Sequence, residues 1–442
     1  MPEPSEPRLV RAIGRWSLAA LTVNCIIGSG VFGLPSQIPN AVGKASPLAW
    51  LFAAAAAGLV MACFAEVASR FDQSGGIYLY SRVAFGRTMG IAIAWLGWVA
   101  RVTAAAANAN LFVKYLAQFW PQIETPAPRA LVLSLLIGLL TAVNYFGVRK
   151  GTVQSNIFTA AKLLTLSLFI ATGLAFLAHQ HFPIALAGPT GPISRWRDPL
   201  LVLMFAYGGY ETALMPGAEA KDPRRDYPFA LFVALIVCAS IYTLTQLIVV
   251  SVLPLATVTD RPMALTMQAL IGPWGAIVVS IGVLVSCYGY LSANILGFPR
   301  VLFAMAENGD MPAAMARVHP RFRTPHVAII VFAILLFGFS LAKDFRWNLV
   351  FSAITRLFYY GSVCAALPVL RRKSGIPDAR FRLPLGGVFA SLAIGVSLFL
   401  LPKLDRASGI VLAIVGLCVL ANSIWAARRK HLKQCGGAAL TG

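Results

Sequence analysis

Apolar runs of about twenty residues, the length needed to cross the hydrocarbon of a bilayer as a helix, recur along this chain and leave little room for anything else. Twelve such spans can be read: Ser17 to Ile38, Pro47 to Ser69, Gly86 to Leu116, Ala130 to Val148, Val153 to Leu177, Pro199 to Ala220, Phe229 to Leu253, Ala276 to Met305, Val327 to Leu341, Leu349 to Leu370, Val388 to Leu401 and Ile410 to Ala426. A soluble domain carries about 25% charged residues; here the figure is 12%, against 58% hydrophobic. The expected class is therefore an all-α multi-pass membrane protein.

The net charge of +21 would also suit a nucleic-acid binder, so the placement of the basic residues decides. They gather between alternate spans, at Arg70 and Arg82, Arg149 and Lys150, Lys221 to Arg225, Arg317 to Arg323, Arg371 to Arg382 and Arg428 to Lys433. With Arg8, Arg11 and Arg15 this puts roughly 23 Lys/Arg on one side and roughly 10 on the other, the asymmetry that orients a chain in a membrane. The partner is then the lipid bilayer, not nucleic acid, and both termini are expected in the cytoplasm, at the cell's inner membrane. No cleavable signal is evident, because the first apolar run continues past a short h-region. Six of the seven cysteines, Cys25, Cys63, Cys238, Cys287, Cys364 and Cys418, fall inside spans and read as small buried apolar residues. No disulfide framework, CxxC metal pair or cofactor is expected.

Two spans are interrupted. The first contains Gly28, Ser29, Gly30 and Gly33, and the sixth contains Gly208 and Gly209 with Glu211 just beyond. In hydrocarbon an unpaired backbone group costs several kcal/mol, so a break survives where it is buried in protein or lines a polar cavity. The same small residues also suit close helix packing. Broken segments at corresponding places in two halves point instead to a substrate site. Spans one to five (17–177) and six to ten (199–370) each open with a break, and spans eleven and twelve (388–426) are plain apolar runs. Five is odd, so two consecutive copies would have opposite orientations within one transmembrane domain covering the whole chain, 1–442.

The first break leaves N–H groups at Ser29, Gly30 and Val31, at the positive end of a half-helix, which suits a carboxylate. It also frees carbonyls at Cys25, Ile26 and Ile27, and the second break frees those near Phe205, Ala206 and Gly208. Carbonyls suit an ammonium. Donors facing acceptors match the two ends of a free α-amino acid.

GSGVFGLP (Gly28 to Pro35), SGGIYLYSRVAFG (Ser74 to Gly86) and FAYGGYETALMPGAEAKDPRRDYP (Phe205 to Pro228) occur in order, followed by ANILGFPRVLFAMAENGDMPAAMARVHPRFRTPHVA (Ala293 to Ala328) and YYGSVCAALPVLRR (Tyr359 to Arg372). This series resembles the amino acid–polyamine–organocation (APC) transporter superfamily from about Ser17 to Arg372. The resemblance implies a leucine-transporter-type fold, a 5+5 inverted repeat plus two extra helices. It also implies an amino acid substrate held by Ile26, Ile27, Gly28, Ser29 and Gly30 on the first break and Phe205, Ala206, Tyr207 and Gly208 on the second. In that pattern Ser29 and Gly30 meet the carboxylate, the carbonyls of Ile26, Phe205 and Gly208 meet the amine, and Phe205 is similar to an aromatic gate. One departure is Gly208, where the arginine/agmatine antiporter of that superfamily has a branched apolar residue.

Lys162 is an ionisable residue inside hydrocarbon, a functional position by default. In sodium-independent relatives a lysine on this span resembles a stand-in for a sodium ion, so Lys162 is the proton-coupling candidate. A fixed cation tying span five to span one is the alternative. Arg101 and Arg356 are also intramembrane cations. Either could read an acidic substrate side chain through its planar fork, or pair internally with Glu66, Glu211 or Glu219. Trp98, Tyr288 and Tyr290 could shape the pocket or only pack. The turn Glu307 to Asp310 is expected to be structural, and the charged loop after span six to set topology.

The expected function is a proton-coupled amino acid symporter working by alternating access, with spans one, two, six and seven moving against the rest. An obligate exchanger keeps the fold without the coupling. A transporter-like sensor is a further alternative. Enzyme chemistry is not expected, since no catalytic constellation such as HExxH or a Ser–His pair occurs.

Overall fold

The structure, a computed structural model, describes residues 14–71, 75–146, 151–179, 192, 194–215, 221–401 and 405–438. Arg8, Arg11, Arg149, Lys150 and Glu219 lie outside the described residues. Among those described, every regular element is a helix.

The first half runs through α1 (Arg15–Ile26), α2 (Gly30–Gly33), α3 (Pro39–Val42), α4 (Ser46–Ala68), α5 (Gly76–Phe85), α6 (Arg87–Leu116), α7 (Pro126–Phe146) and α8 (Gly151–His179). The second runs through α9 (Ser194–Tyr207), α10 (Tyr210–Ala213), α11 (Pro223–Val252), α12 (Pro262–Ile271), α13 (Pro273–Gly297), α14 (Pro299–Glu307), α15 (His326–Ala342) and α16 (Phe345–Arg372). Two further helices close the chain, α17 (Gly386–Leu400) and α18 (Arg406–Ala438).

Among the described residues, 8 helical stretches are long and apolar enough to cross a membrane, in α4, α6, α7, α8, α11, α13 with α14, α16 and α18. This is an integral membrane protein. Length explains why the other expected spans are not in that set. Ser17 to Ile38 and Pro199 to Ala220 are each broken into pieces, and α15 and α17 have 17 and 15 residues. The sequence reading left Gly76–Phe85 and Pro262–Ile271 between spans. Both are helices of 10 residues, too short to span.

Position in the bundle follows from side-chain size. The middle of α6 is VARVTAAAANANLF, whose small residues let neighbours close around it, and 72% of its most apolar window is buried. In α7 the figure is 22%, and Leu131, Leu135 and Leu139 point outward, as a lipid-facing helix requires. The core divides in two. One cluster holds Phe32, Trp50, Phe64, Phe205, Tyr207 and Tyr242, from α2, α4, α9 and α11, and continues into α6, α8, α12, α13, α16 and α17. The other holds Trp98, Leu133, Ile137, Phe298 and Phe332, from α6, α7, α15 and the α13–α14 joint. Across the halves, α1 packs on α11 and α9 packs on α4.

Candidate substrate site

The two breaks touch. Helix α1 stops at Ile26, and Ile27 takes an extended conformation (φ −69°, ψ 97°) before α2 restarts at Gly30. Helix α9 stops at Tyr207, and Gly209 has φ +126°, a region that side-chain-bearing residues avoid. A Cβ on Gly30 would lie 2.7 Å from the Cβ of Ala206, and one on Gly209 would run into the Cys25 carbonyl. Glycine is therefore required at both places for one backbone to rest on the other.

Breaking a helix frees polar groups, and their partners can be traced. The Tyr242 hydroxyl on α11 lies 3.2 Å from the carbonyl oxygens of both Ile26 and Ala206, bridging the two breaks. Lys162 on α8 donates to the Ile27 carbonyl at 2.7 Å, to the Asn24 side-chain oxygen at 2.9 Å and to the Asn24 carbonyl at 3.2 Å. The Phe205 carbonyl accepts from Gly208 N–H at 3.1 Å. In contrast, the N–H groups of Gly28, Ser29, Gly30 and Val31 have no acceptor among the described residues. The Ser29 hydroxyl, fully buried, also has no partner among the described residues.

The charges sit beside the second break. Glu211 accepts from Arg101 at 2.7 Å and from the Tyr359 hydroxyl at 2.6 Å on one oxygen, and from Gly209 N–H at 2.9 Å on the other. Arg101 also reaches the Gly209 carbonyl at 3.2 Å and stacks over Phe298, 4.8 Å from its ring centre. Of the internal pairings open to Arg101, the structure has the one with Glu211. Glu66 is held elsewhere, by Arg371 at 2.6 Å and Arg70 at 3.4 Å.

The model of the amino acid permease family matches residues 13–421. The chain belongs to that family. Among similar proteins is the branched-chain amino acid permease BcaP of Bacillus subtilis (strain 168), 28% identical over 449 residues, covering 97% of this chain and 95% of the relative. An uncharacterized transporter of Mycobacterium tuberculosis (strain ATCC 25618 / H37Rv) is 29% identical over 431 residues, covering 96% and 94%. A methylthioribose transporter of Bacillus subtilis (strain 168) is 26% identical over 431 residues, covering 93% of each chain.

Two cavities lead toward the breaks of the permease. One, of about 400 Å³, is lined by Tyr78, Trp98, Arg101, Glu211, Phe298 and Tyr359 among others. The other, of about 60 Å³, lies between Asn24, Lys162 and Tyr290. A third space of about 670 Å³, bordered by Lys114, Asp198, Asp260 and Phe345, is separate from both breaks. Tyr290 packs on Gly28, with a ring carbon 3.3 Å from where its Cβ would be. Trp98 lines the 400 Å³ cavity and packs edge-to-face with Trp95 and Phe332. Tyr288 packs on Phe158 and borders neither of these cavities. Tyr207 donates to the Trp50 carbonyl at 3.0 Å, away from the freed groups.

Sequence reasoning missed Asn24, Tyr242 and Gln246. Gln246 accepts from Trp50 at 2.8 Å and donates to the Pro35 carbonyl at 3.0 Å, holding the far end of the first broken segment to α11. A polar residue in an apolar run was the available signal for each.

Proposed function

We propose that this permease is a secondary active transporter that moves amino acids across the plasma membrane by alternating access, coupled to inward proton flow. The observation that carries this is the pair of touching breaks: unpaired N–H groups on Gly28 to Val31 beside carbonyls of Ile26, Phe205 and Ala206. A zwitterion presents a carboxylate to the first set and an ammonium to the second, so Ile26 to Gly30 and Phe205 to Gly208 form the binding segment. The name of the branched-chain amino acid permease, similar over nearly its full length, supports this substrate class. Its function is taken to be transport and not catalysis.

The proposed architecture is twelve spans, with a 5+5 inverted repeat over 17–177 and 199–370, α17 and α18 added, and both termini cytoplasmic. In its support, α1 lies on α11 while α9 lies on α4, the exchange of partners that two copies related by a pseudo-twofold produce. Each half also places a 10-residue helix after its long second helix, α5 and α12. Motion of α1, α4, α9 and α11 as one body is part of this proposal, in line with the packing of α1 on α11 and of α9 on α4.

In this reading Lys162 carries the coupling. Protonated, its three N–H bonds hold Asn24 and Ile27, so protonation favours the conformation in which α1 sits against α8. A ligand shifts an equilibrium only through such a difference between states. One observation favours a second reading, an obligate exchanger: Lys162 has as many acceptors as it has donors, as a permanently fixed cation would. Proteoliposomes separate the two. An inward proton gradient should drive accumulation in the wild type, and Lys162→Ala should lose accumulation yet keep counterflow. Accumulation that survives Lys162→Ala would exclude the coupling role, and uptake strictly dependent on internal amino acid would establish exchange.

A further inference from the structure

The buried charges around the breaks do not balance. Arg101, Lys162 and Arg356 stand against Glu211, and all four side chains are at most 3% exposed. Glu211 belongs to Arg101, and Lys162 is held by three oxygens. Arg356 has no carboxylate within ion-pair distance among the described residues. Among the described residues its Nη1 reaches only the Phe205 carbonyl, at 3.4 Å, and its guanidinium lies 5.1 Å from the centre of the Phe205 ring. Among the described residues its Nε has no hydrogen-bond partner, and the Tyr360 hydroxyl beside it has none of good geometry.

Gly208 explains how a guanidinium fits there. A Cβ at that position would overlap Arg356 Nη1 and lie 3.0 Å from the Tyr360 hydroxyl. The missing side chain thus makes room for Arg356 directly on the backbone of the second break. The 400 Å³ cavity reaches α16 at Tyr359, one helical turn from Arg356, which itself lines none of these cavities, so an arriving substrate must open the last step to it.

An unpaired buried cation costs several kcal/mol unless an anion joins it. A neutral zwitterion leaves the surplus in place. An amino acid with a second carboxylate removes it, and a planar fork with an unpartnered N–H is suited to bind that group through two bonds. Resting on the amino acid transport reading above, we propose that the substrate is a dicarboxylic amino acid and that Arg356 binds its side-chain carboxylate. In the empty site Arg356 holds the Phe205 carbonyl. The arriving ammonium takes that carbonyl, and the guanidinium turns to the second carboxylate.

The test compares isosteres on purified full-length wild-type protein: glutamate against glutamine, aspartate against asparagine, with leucine as an apolar reference. Thermal stabilisation and counterflow are both read. Acidic substrates should bind more tightly than their amides by on the order of 10²-fold, the worth of a charge-assisted hydrogen-bond pair. Arg356→Gln should reverse the order. The wild-type ratio needs no variant, so a misfolded Arg356→Gln does not weaken the test. Equal binding of glutamate and glutamine, or binding of leucine with none of glutamate, overturns the role of Arg356 and leaves amino acid transport standing. Binding of no amino acid at all removes the transport reading, and this inference with it.

Discussion

The ammonium of Lys162 lies 2.7 Å from the carbonyl oxygen of Ile27, so a side chain of α8 occupies the gap where the first broken helix stops. That bond fixes the unwound backbone without rewinding it. Lys162→Ala strands the carbonyls of Ile27 and Asn24 in an apolar environment, at about 1–3 kcal/mol for each group left unpaired. Thermal unfolding in detergent should show the loss, and Lys162→Arg should restore part of it.

Glu211 and Arg101 form a buried pair whose value depends on both partners being present. Glu211→Gln leaves Arg101 without a counter-charge and should destabilise the protein by about 3–5 kcal/mol, whereas neutralising both, with Arg101→Gln added, should recover much of that. Melting temperatures of the single and double variants check this. Equal losses in both would mean the ion pair is incidental.

The contact between breaks predicts a sharp contrast among glycines. Gly30→Ala and Gly209→Ala force the backbones of α2 and α9, or of α10 and α1, apart. Both should abolish counterflow. Gly138→Ala on α7, where a Cβ meets nothing within 4 Å, should leave transport unchanged.

At one end of the bundle, Asp310 is buried and accepts from Arg87 at 2.5 Å, from Arg82 at 3.0 Å and from the Tyr78 hydroxyl, pinning α5 below the larger cavity. Arg82 also bonds Tyr78 directly. Burial, helped by the neighbouring carboxylate, pushes the Tyr78 phenol up to about 12. A raised value favours the protonated phenol in the folded protein. Its contribution is thus complete below the ordinary value near 10 and is lost as pH rises through about 12. Tyr78→Phe should flatten that alkaline loss, and Asp310→Asn should lower the melting temperature at every pH. Unfolding curves between pH 8 and about 12 are the measurement.

Much of this was legible in the sequence because bilayer physics limits the options. Residues 28 to 30 and 208 to 209 break apolar runs, and a break inside hydrocarbon needs a protein reason, so both breaks were visible before any coordinates. Lys162 and Arg101 stood out for the same reason, as charges where none is expected. Their partners were not legible. Nothing local says that Arg101 meets Glu211, 110 residues away, or that Glu66 turns instead to Arg371, because such pairing is set by how helices rotate about their axes. The carbonyl ties of Tyr242 were also hidden, since a tyrosine in an apolar run usually packs. Gly208 stood out only as a departure from a branched apolar residue, and only the fold places Arg356 against it. The short helices α5 and α12 escaped notice because they are too short for a span and too apolar for a loop.

The central claim is that two unwound segments hold both ends of one amino acid. A binding screen on the purified permease tests it most directly, comparing each amino acid with its decarboxylated amine and its deaminated acid. Binding that needs both the carboxylate and the ammonium is the predicted result. An amine or an acid that binds as tightly as its parent amino acid would contradict it.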